Sequence, residues 1–326
     1  MALDRFGRRL NYLRISLTDR CNLRCQYCMP EDTQFKPMSS LMSDDEIITL
    51  VRLFANLGFE KIRLTGGEPT VRSNIVDLVH RIAITPGINQ LTMTTNGTLF
   101  SHLASDLKEA GLQRVNFSLD TLDSDKYSRI TSRGLIDSVW EGINAAEQVG
   151  LTPIKVNVVV VRNFNDLDVI DLARLTYHRP WQVRFIEMMP FAGATDFQVD
   201  HNIIMGEIRQ IIESAVGPLQ PINNGILDGE AQLFRIPQSM GTIGFIASIS
   251  QPFCASCTRV RLTADGRLRL CLLNEFEVNL LEPLRSGASD QILREIILDA
   301  LWNKPWGHKL TEGAIPVNRT MSQIGG

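Results

Sequence analysis

Residues 12–28 read YLRISLTDRCNLRCQYC. The run Tyr12–Thr18 is rich in apolar residues and predicts a β-strand. Three cysteines follow it directly, Cys21, Cys25 and Cys28, in the spacing C-x3-C-x2-C. A strand that ends in a metal-ligand loop is the unit on which the rest of the fold is read.

Working outward, five further apolar or β-branched runs occur at Lys61–Thr65, Gln90–Thr95, Arg114–Leu119, Ile154–Val161 and Gln182–Glu187. Amphipathic stretches lie between them. Ser43 followed by Glu46 is a capping-box pattern that starts one helix. Others are expected near 72–84, 98–110, 135–149, 165–176 and 202–214. Strand and helix alternating six times predicts a parallel sheet with right-handed crossovers. Six units fall short of a closed eight-stranded barrel. The fold class expected is therefore α/β, a partial (βα)6 TIM-like barrel over residues 1–216. The pattern breaks near Gly217–Pro221, so residues 217–326 read as a second region. There, Asp265-Gly266 between two alternating runs predicts a hairpin, and a last helix is expected near 289–301. The stretch 221–241, with Asn223-Asn224-Gly225 in it, matches no motif and reads as a surface loop or β excursion.

The net charge is −3, which gives no basic field for nucleic acid or an anionic membrane. No apolar run is long enough to cross a bilayer. The opening MALDRFGRRL has no apolar core behind its basic residues, so a cytoplasmic protein is expected. In that compartment six cysteines gathered in two triplets read as reduced metal ligands rather than disulfides.

Three thiolates on one short loop can hold three irons of a [4Fe–4S] cube and leave the fourth open. Structural zinc is the alternative, although zinc normally takes four ligands. The second triplet, Cys254, Cys257 and Cys271, follows the same count. The Asp265-Gly266 hairpin can fold Cys271 back toward the other two. For zinc, His308 would be the remote fourth ligand. Alternation puts Arg259 and Arg261 on one strand face, and Arg267 and Arg269 on one face. Guanidinium groups in such a place suit an anionic substrate, or else form a solvated basic strand. Lys155 opens an otherwise apolar strand, so its charge needs a partner. The unusual residues fall at or after strand C-terminal ends: the cysteine loop, Gly66-Gly67-Glu68-Pro69, Thr94-Thr95-Asn96-Gly97, Ser118-Leu119-Asp120 and Glu187-Met188-Met189. That edge is where parallel barrels build active sites.

The cysteine loop together with Gly66-Gly67-Glu68-Pro69 resembles the signature of the radical S-adenosylmethionine (SAM) enzymes. The resemblance implies a [4Fe–4S] cluster on Cys21, Cys25 and Cys28 whose open iron chelates SAM. It further implies SAM contacts from Tyr27, Gly67, Glu68, Ser118 and Met189. Gly67, lacking a Cβ, would let backbone approach the ligand. Over nearly its whole length the chain is similar to the GTP 3′,8-cyclase family of molybdenum cofactor biosynthesis. This likeness rests on Leu13–Asn22, Ile62–Pro69, Thr95–Gly97, Asn116–Asp120, Arg184–Glu187, the second triplet and Met321-Ser322-Gln323-Ile324-Gly325-Gly326. It implies a second [4Fe–4S] cluster on Cys254, Cys257 and Cys271 whose open iron binds guanine. It implies GTP contacts from Arg14, Lys61, Arg63, Thr94, Lys155, Arg184, Arg259, Val260 and Arg261. A 5′-deoxyadenosyl radical would take the 3′ hydrogen of GTP, and the carbon radical would attack C8. Gly325 and Gly326 would reach into the site and promote productive radical formation. Implied partners are a flavodoxin- or ferredoxin-type reductant, a downstream cyclic pyranopterin monophosphate synthase and a second copy in a homodimer. The competing readings are a peptide-modifying radical SAM maturase, a small iron–sulfur electron carrier and a zinc scaffold.

Overall fold

A computed structural model describes residues 2–29, 32–191, 201–222, 227–310 and 315–325. Six strands alternate with helices as the sequence predicts. They are β1 (Tyr12–Ser16), β2 (Lys61–Thr65), β3 (Gln90–Thr95), β4 (Arg114–Ser118), β5 (Lys155–Val160) and β6 (Gln182–Glu187). The helices between and after them are α1 (Asp44–Asn56), α2 (Ile75–Ala83), α3 (Ala104–Glu109), α4 (Ser124–Thr131), α5 (Ile136–Gln148), α6 (Val169–His178) and α7 (Met205–Val216). The capping box is present: the Ser43 side chain accepts from Glu46 N–H and the Glu46 carboxylate accepts from Ser43 N–H.

The parallel array is wider than six strands. Beyond residue 217 come β7 (Gln220–Pro221), β8 (Gln232–Arg235), β9 (Thr242–Ile246), β10 (Arg259–Leu262), β11 (Arg267–Arg269) and β12 (Glu277–Asn279). The sheet order is β12-β11-β10-β1-β2-β3-β4-β5-β6-β9-β8-β7. β10 lies parallel to β1, and β9 lies parallel to β6. Each open edge of the six-stranded half-barrel is thus extended by one parallel strand, and antiparallel strands finish both ends. The hairpin is formed by β10 and β11, with Arg261 opposite Arg269. Two short helices and a longer one complete the chain: α8 (Leu281–Arg285), α9 (Asp290–Trp302) and α10 (Met321–Ile324).

Period-two alternation explains how the sheet divides its side chains. Leu13, Ile15, Ile62, Leu64, Val115, Phe117, Val156, Val158, Val183, Phe185, Val260 and Leu262 are buried in one continuous core with the helices. The register places Arg14 beside Arg63 and Arg261, and Asn116 beside Lys155. These polar residues sit on the opposite face, the inside of the barrel. A lumen lined by charge is unstable as a mere core, because buried charges need partners. It is consistent with a cavity that receives an anion.

Candidate active site

One cavity of about 280 Å³ is lined by all six cysteines. The loop after β1 brings Cys21, Cys25 and Cys28 to it. The loop before β10 brings Cys254 and Cys257, and Cys271 follows β11. The hairpin therefore places Cys271 beside its partners, as the spacing predicts. Among the described residues no three His, Cys, Asp or Glu side chains gather tightly enough to chelate a single ion.

Burial pushes the Cys21 thiol up to about 11. Burial, with Cys21 and Asp120 nearby, pushes Cys28 up to about 12, and burial, with Cys28 nearby, raises Cys25 well above the ordinary thiol value. A bound cationic centre would displace the protons that burial holds on these three thiols. This donor set fits an iron–sulfur cluster. At the second triplet burial raises Cys254. Cys257 differs: burial opposes ionisation, but Arg259 and Lys304 bring it down to about 7. Lys304 Nζ donates to the Arg259 carbonyl at 2.8 Å and also to that of Leu270. His308 lines the same cavity, with Nε2 2.9 Å from the Ser248 carbonyl.

The residues expected at SAM belong to the same cavity. Tyr27, Gly67, Glu68, Ser118 and Met189 all line the cavity. Tyr27 Oη donates to Asp120 Oδ2 at 2.7 Å, and Asp120 also accepts from Val159 N–H. Burial raises the Asp120 carboxyl to about 6. The Glu68 carboxylate accepts from Thr70 N–H, Asn96 N–H and Thr95 Oγ1. It pins the β2 and β3 loops together. The fold itself requires glycine at 67. A Cβ there would come within 2.3 Å of the Arg20 carbonyl oxygen. Glu68 N–H donates to that same oxygen at 2.8 Å. The close approach is to the chain's own backbone, with the cysteine loop lying directly on the Gly66-Gly67 segment.

The expected GTP contacts divide by depth. Arg14, Thr94, Arg259 and Arg261 line the cavity. Lys61 and Lys155 open β2 and β5, so they stand at the N-terminal end of the barrel, away from the strand ends that carry the cysteine loop. Arg63 and Arg184 each stand two residues further along. None of these four residues lines the cavity that holds the cysteines. Arg63 Nη1 is 3.5 Å from Thr94 Oγ1, and its guanidinium lies over the Tyr12 ring. The buried Nε of Arg63 and Oδ1 of Asn157 have no hydrogen-bond partner among the described residues. Val260 is placed apart from the others: its side chain is packed in the core. Neither Arg267 nor Arg269 lines the cavity, and Arg269 pairs with Glu277 at 2.7 Å.

Gly325 reaches the cavity wall. Its carbonyl accepts from Arg261 Nη1 at 2.9 Å and from Thr65 Oγ1 at 3.3 Å. Its φ is +75°, and a Cβ would fall 2.3 Å from Thr65 Oγ1. Gly326 lies outside the described residues. The approach of this segment is fixed by Arg319, which grips Asp265 through two 3.0 Å bonds and Glu277 at 2.7 Å.

Sequence reading missed two carboxylates. Asp228 Oδ2 is 2.8 Å from Lys155 Nζ and 3.2 Å from Arg184 Nη2. Glu230 Oε1 is 3.2 Å from Arg259 Nη1 and 3.8 Å from Arg14 Nη2. They come from the stretch that matched no motif, and nothing in its local pattern points to the lumen. Glu187, marked by the sequence only as lying at a strand end, is buried, and its carboxylate accepts from Met205, Ile249 and Ser250 N–H at 2.8–2.9 Å.

Comparison with known proteins settles the family. Residues 15–176 match the model of the Radical SAM superfamily, and residues 181–310 match that of Molybdenum Cofactor Synthesis C. The chain is 48% identical to the GTP 3′,8-cyclase of Moorella thermoacetica, covering 99% of both chains. It is 45% identical to that of Pelotomaculum thermopropionicum, again over 99% of both. The chain belongs to the GTP 3′,8-cyclase family. It is a radical SAM enzyme of molybdenum cofactor biosynthesis, and its class carries a [4Fe–4S] cluster and SAM. Among solved structures, SAM-bound SuiB of Streptococcus suis aligns with a TM-score of 0.61 at 17% identity, over 92% of this chain and 67% of that one. Methylornithine synthase aligns at 0.51 and 18% identity, over 64% and 63%. These two likenesses concern the fold alone.

Proposed function

We propose that this enzyme converts GTP to (8S)-3′,8-cyclo-7,8-dihydroguanosine 5′-triphosphate. The observation that carries the reading is the single cavity shared by both cysteine triplets and four of the expected GTP contacts. A substrate seated there has its base near Cys254, Cys257 and Cys271, and its phosphates among the arginines and lysines of the lumen.

Cys21, Cys25 and Cys28 would hold the first cluster. Tyr27, Gly67, Glu68, Ser118 and Met189 would hold SAM beside it. Cys254, Cys257 and Cys271 would hold the second [4Fe–4S] cluster. The low pKa of Cys257 supports that assignment, because a metal ligand must be a thiolate. When bound, the first cluster with SAM supplies one-electron cleavage to a hydrogen-abstracting carbon radical. The protein's own part is binding and orientation. Arg14, Lys61, Arg63, Lys155, Arg184, Arg259 and Arg261 would neutralise the triphosphate through charge-assisted hydrogen bonds. Thr94 would add a neutral contact. Gly325 holds the Arg261 guanidinium at the lumen wall. Fixing the ribose beside the radical source is worth orders of magnitude in rate.

The wider setting rests on the family likeness: an external flavodoxin- or ferredoxin-type donor, delivery to a cyclic pyranopterin monophosphate synthase, a homodimer and a cytoplasmic location. Among the described residues no helix is long and apolar enough to cross a membrane.

The test is anaerobic turnover of the reconstituted protein with dithionite and SAM. GTP-dependent 5′-deoxyadenosine together with a cyclised nucleotide supports the reading. SAM cleavage indifferent to GTP would remove GTP as the substrate.

A further inference from the structure

Between β7 and β8 the chain makes a tight turn in which Asp228 N–H donates to the Ala231 carbonyl at 2.9 Å. The turn carries two carboxylates separated by Gly229. Asp228 engages Lys155, Arg184 and, at 3.2 Å, Gln182 Nε2. Glu230 engages Arg259 and Arg14. Four of the seven cations assigned to the triphosphate thus already face an anion supplied by the chain.

Such buried cations require counter-charge when no substrate is present. Burial would raise both carboxyls, but Lys155 beside Asp228, and Arg259 and Arg14 beside Glu230, hold them below the usual carboxylate range. The same N–H groups cannot serve a carboxylate and a phosphate fully. A phosphate a few ångströms from a carboxylate is also repelled strongly in a low-dielectric lumen.

The local build allows the turn to leave. Gly229 has a φ of +68°, and a Cβ there would meet nothing within 4 Å. The Asp228 side chain is 41% exposed. β7 is two residues long and exposed on both. The anchor lies after the turn, where Ala231 and Leu233 pack on Ile246.

We propose that the Asp228-Gly229-Glu230 turn is a resident counter-ion of the phosphate seat, displaced by an incoming polyphosphate. The inference rests on the GTP reading above. It makes the turn a specificity element. One phosphate group cannot replace two carboxylates that hold separate cation pairs, whereas a triphosphate spans both.

The test is hydrogen–deuterium exchange on the anaerobically reconstituted full chain, with binding of each probe measured by calorimetry. Tripolyphosphate and GTP are expected to raise amide exchange across 227–231, and GMP and guanosine to leave it unchanged. The doubly substituted Asp228→Asn, Glu230→Gln protein is expected to bind tripolyphosphate at least about tenfold more tightly, since a like-charge contact has been removed. Exchange at 227–231 that falls or stays constant while GTP binds would overturn this inference and leave the GTP reading standing. Failure of both GTP and tripolyphosphate to bind would overturn both. Equal exchange responses to GMP and GTP would remove the phosphate-count role.

Discussion

Arg261 Nη1 donates to the Gly325 carbonyl at 2.9 Å, joining β10 of the half-barrel to the segment that follows α10. The pair fixes a charged side chain and a backbone carbonyl at the same point of the cavity. Gly325→Ala would force a Cβ onto Thr65 Oγ1 at a positive φ, a conformation that costs a residue with a Cβ about 1–3 kcal/mol. The segment is expected to leave the cavity. GTP-dependent 5′-deoxyadenosine should fall at least about tenfold, as small misplacements near the chemistry do. Iron content and thermal midpoint should stay near wild type. An unchanged rate would place the segment outside the reaction. Arg261→Ala should weaken GTP binding by about 1.5–3 kcal/mol, the worth of a charged hydrogen bond, read by calorimetry.

Cys254→Ser alters the second triplet alone. GTP turnover should be lost while SAM cleavage on the first triplet is largely retained. Quantifying 5′-deoxyadenosine and cyclised nucleotide in the same anaerobic reaction checks this. Equal loss of both, with the first cluster intact by its absorption, would refute the division of labour between the triplets.

Lys155 gives a pH signature. Burial and the neighbouring Arg184 lower its pKa from 10.5 to about 8. Between about 8 and 10.5 the unfolded chain then binds more protons than the folded one, so this residue makes stability rise with pH across that window. Substrate affinity should move the other way. The ammonium that contacts a phosphate is lost as pH rises through about 8, and GTP binding should weaken there. Lys155→Arg, charged throughout, should flatten that limb. A limb that persists in the arginine variant would belong to another group.

Glu187→Ala leaves three backbone N–H groups without their carboxylate. The cost should be about 2–3 kcal/mol or more, on the scale of hydrogen bonds to a charged group. A denaturant midpoint of the apo-protein measures it. SAM affinity should fall too, because Met189 lies two residues on, whereas the cysteine ligands are untouched.

Much of the barrel was legible because it is local. Lys61–Thr65, Gln90–Thr95 and Gln182–Glu187 form strands with the bounds expected. The Ser43–Glu46 cap starts its helix as read. Helix α4 was not foreseen, since Ser124–Thr131 is short and mostly polar. The parallel pairings of β9 and β10 were also unseen. They are reached through long irregular connections and not through a βα repeat, so no period in the chain announces them.

At the site, the sequence by itself determined which atoms are available. Two cysteine triplets, a glycine-glycine-glutamate loop and the alternating basic pairs Lys61/Arg63, Arg259/Arg261 and Arg267/Arg269 follow from residue type and spacing. The tertiary structure alone decided that both triplets open into one cavity. It also decided that Val260 turns into the core and that Gly67 is needed against Arg20. Above all it decided that Asp228 lies against Lys155 and Arg184, and Glu230 against Arg259 and Arg14. The physical reason is range. Strand period and loop spacing act over a few residues, whereas the meeting of Glu230 with Arg14 and of Gly325 with Arg261 depends on sheet closure across much of the chain.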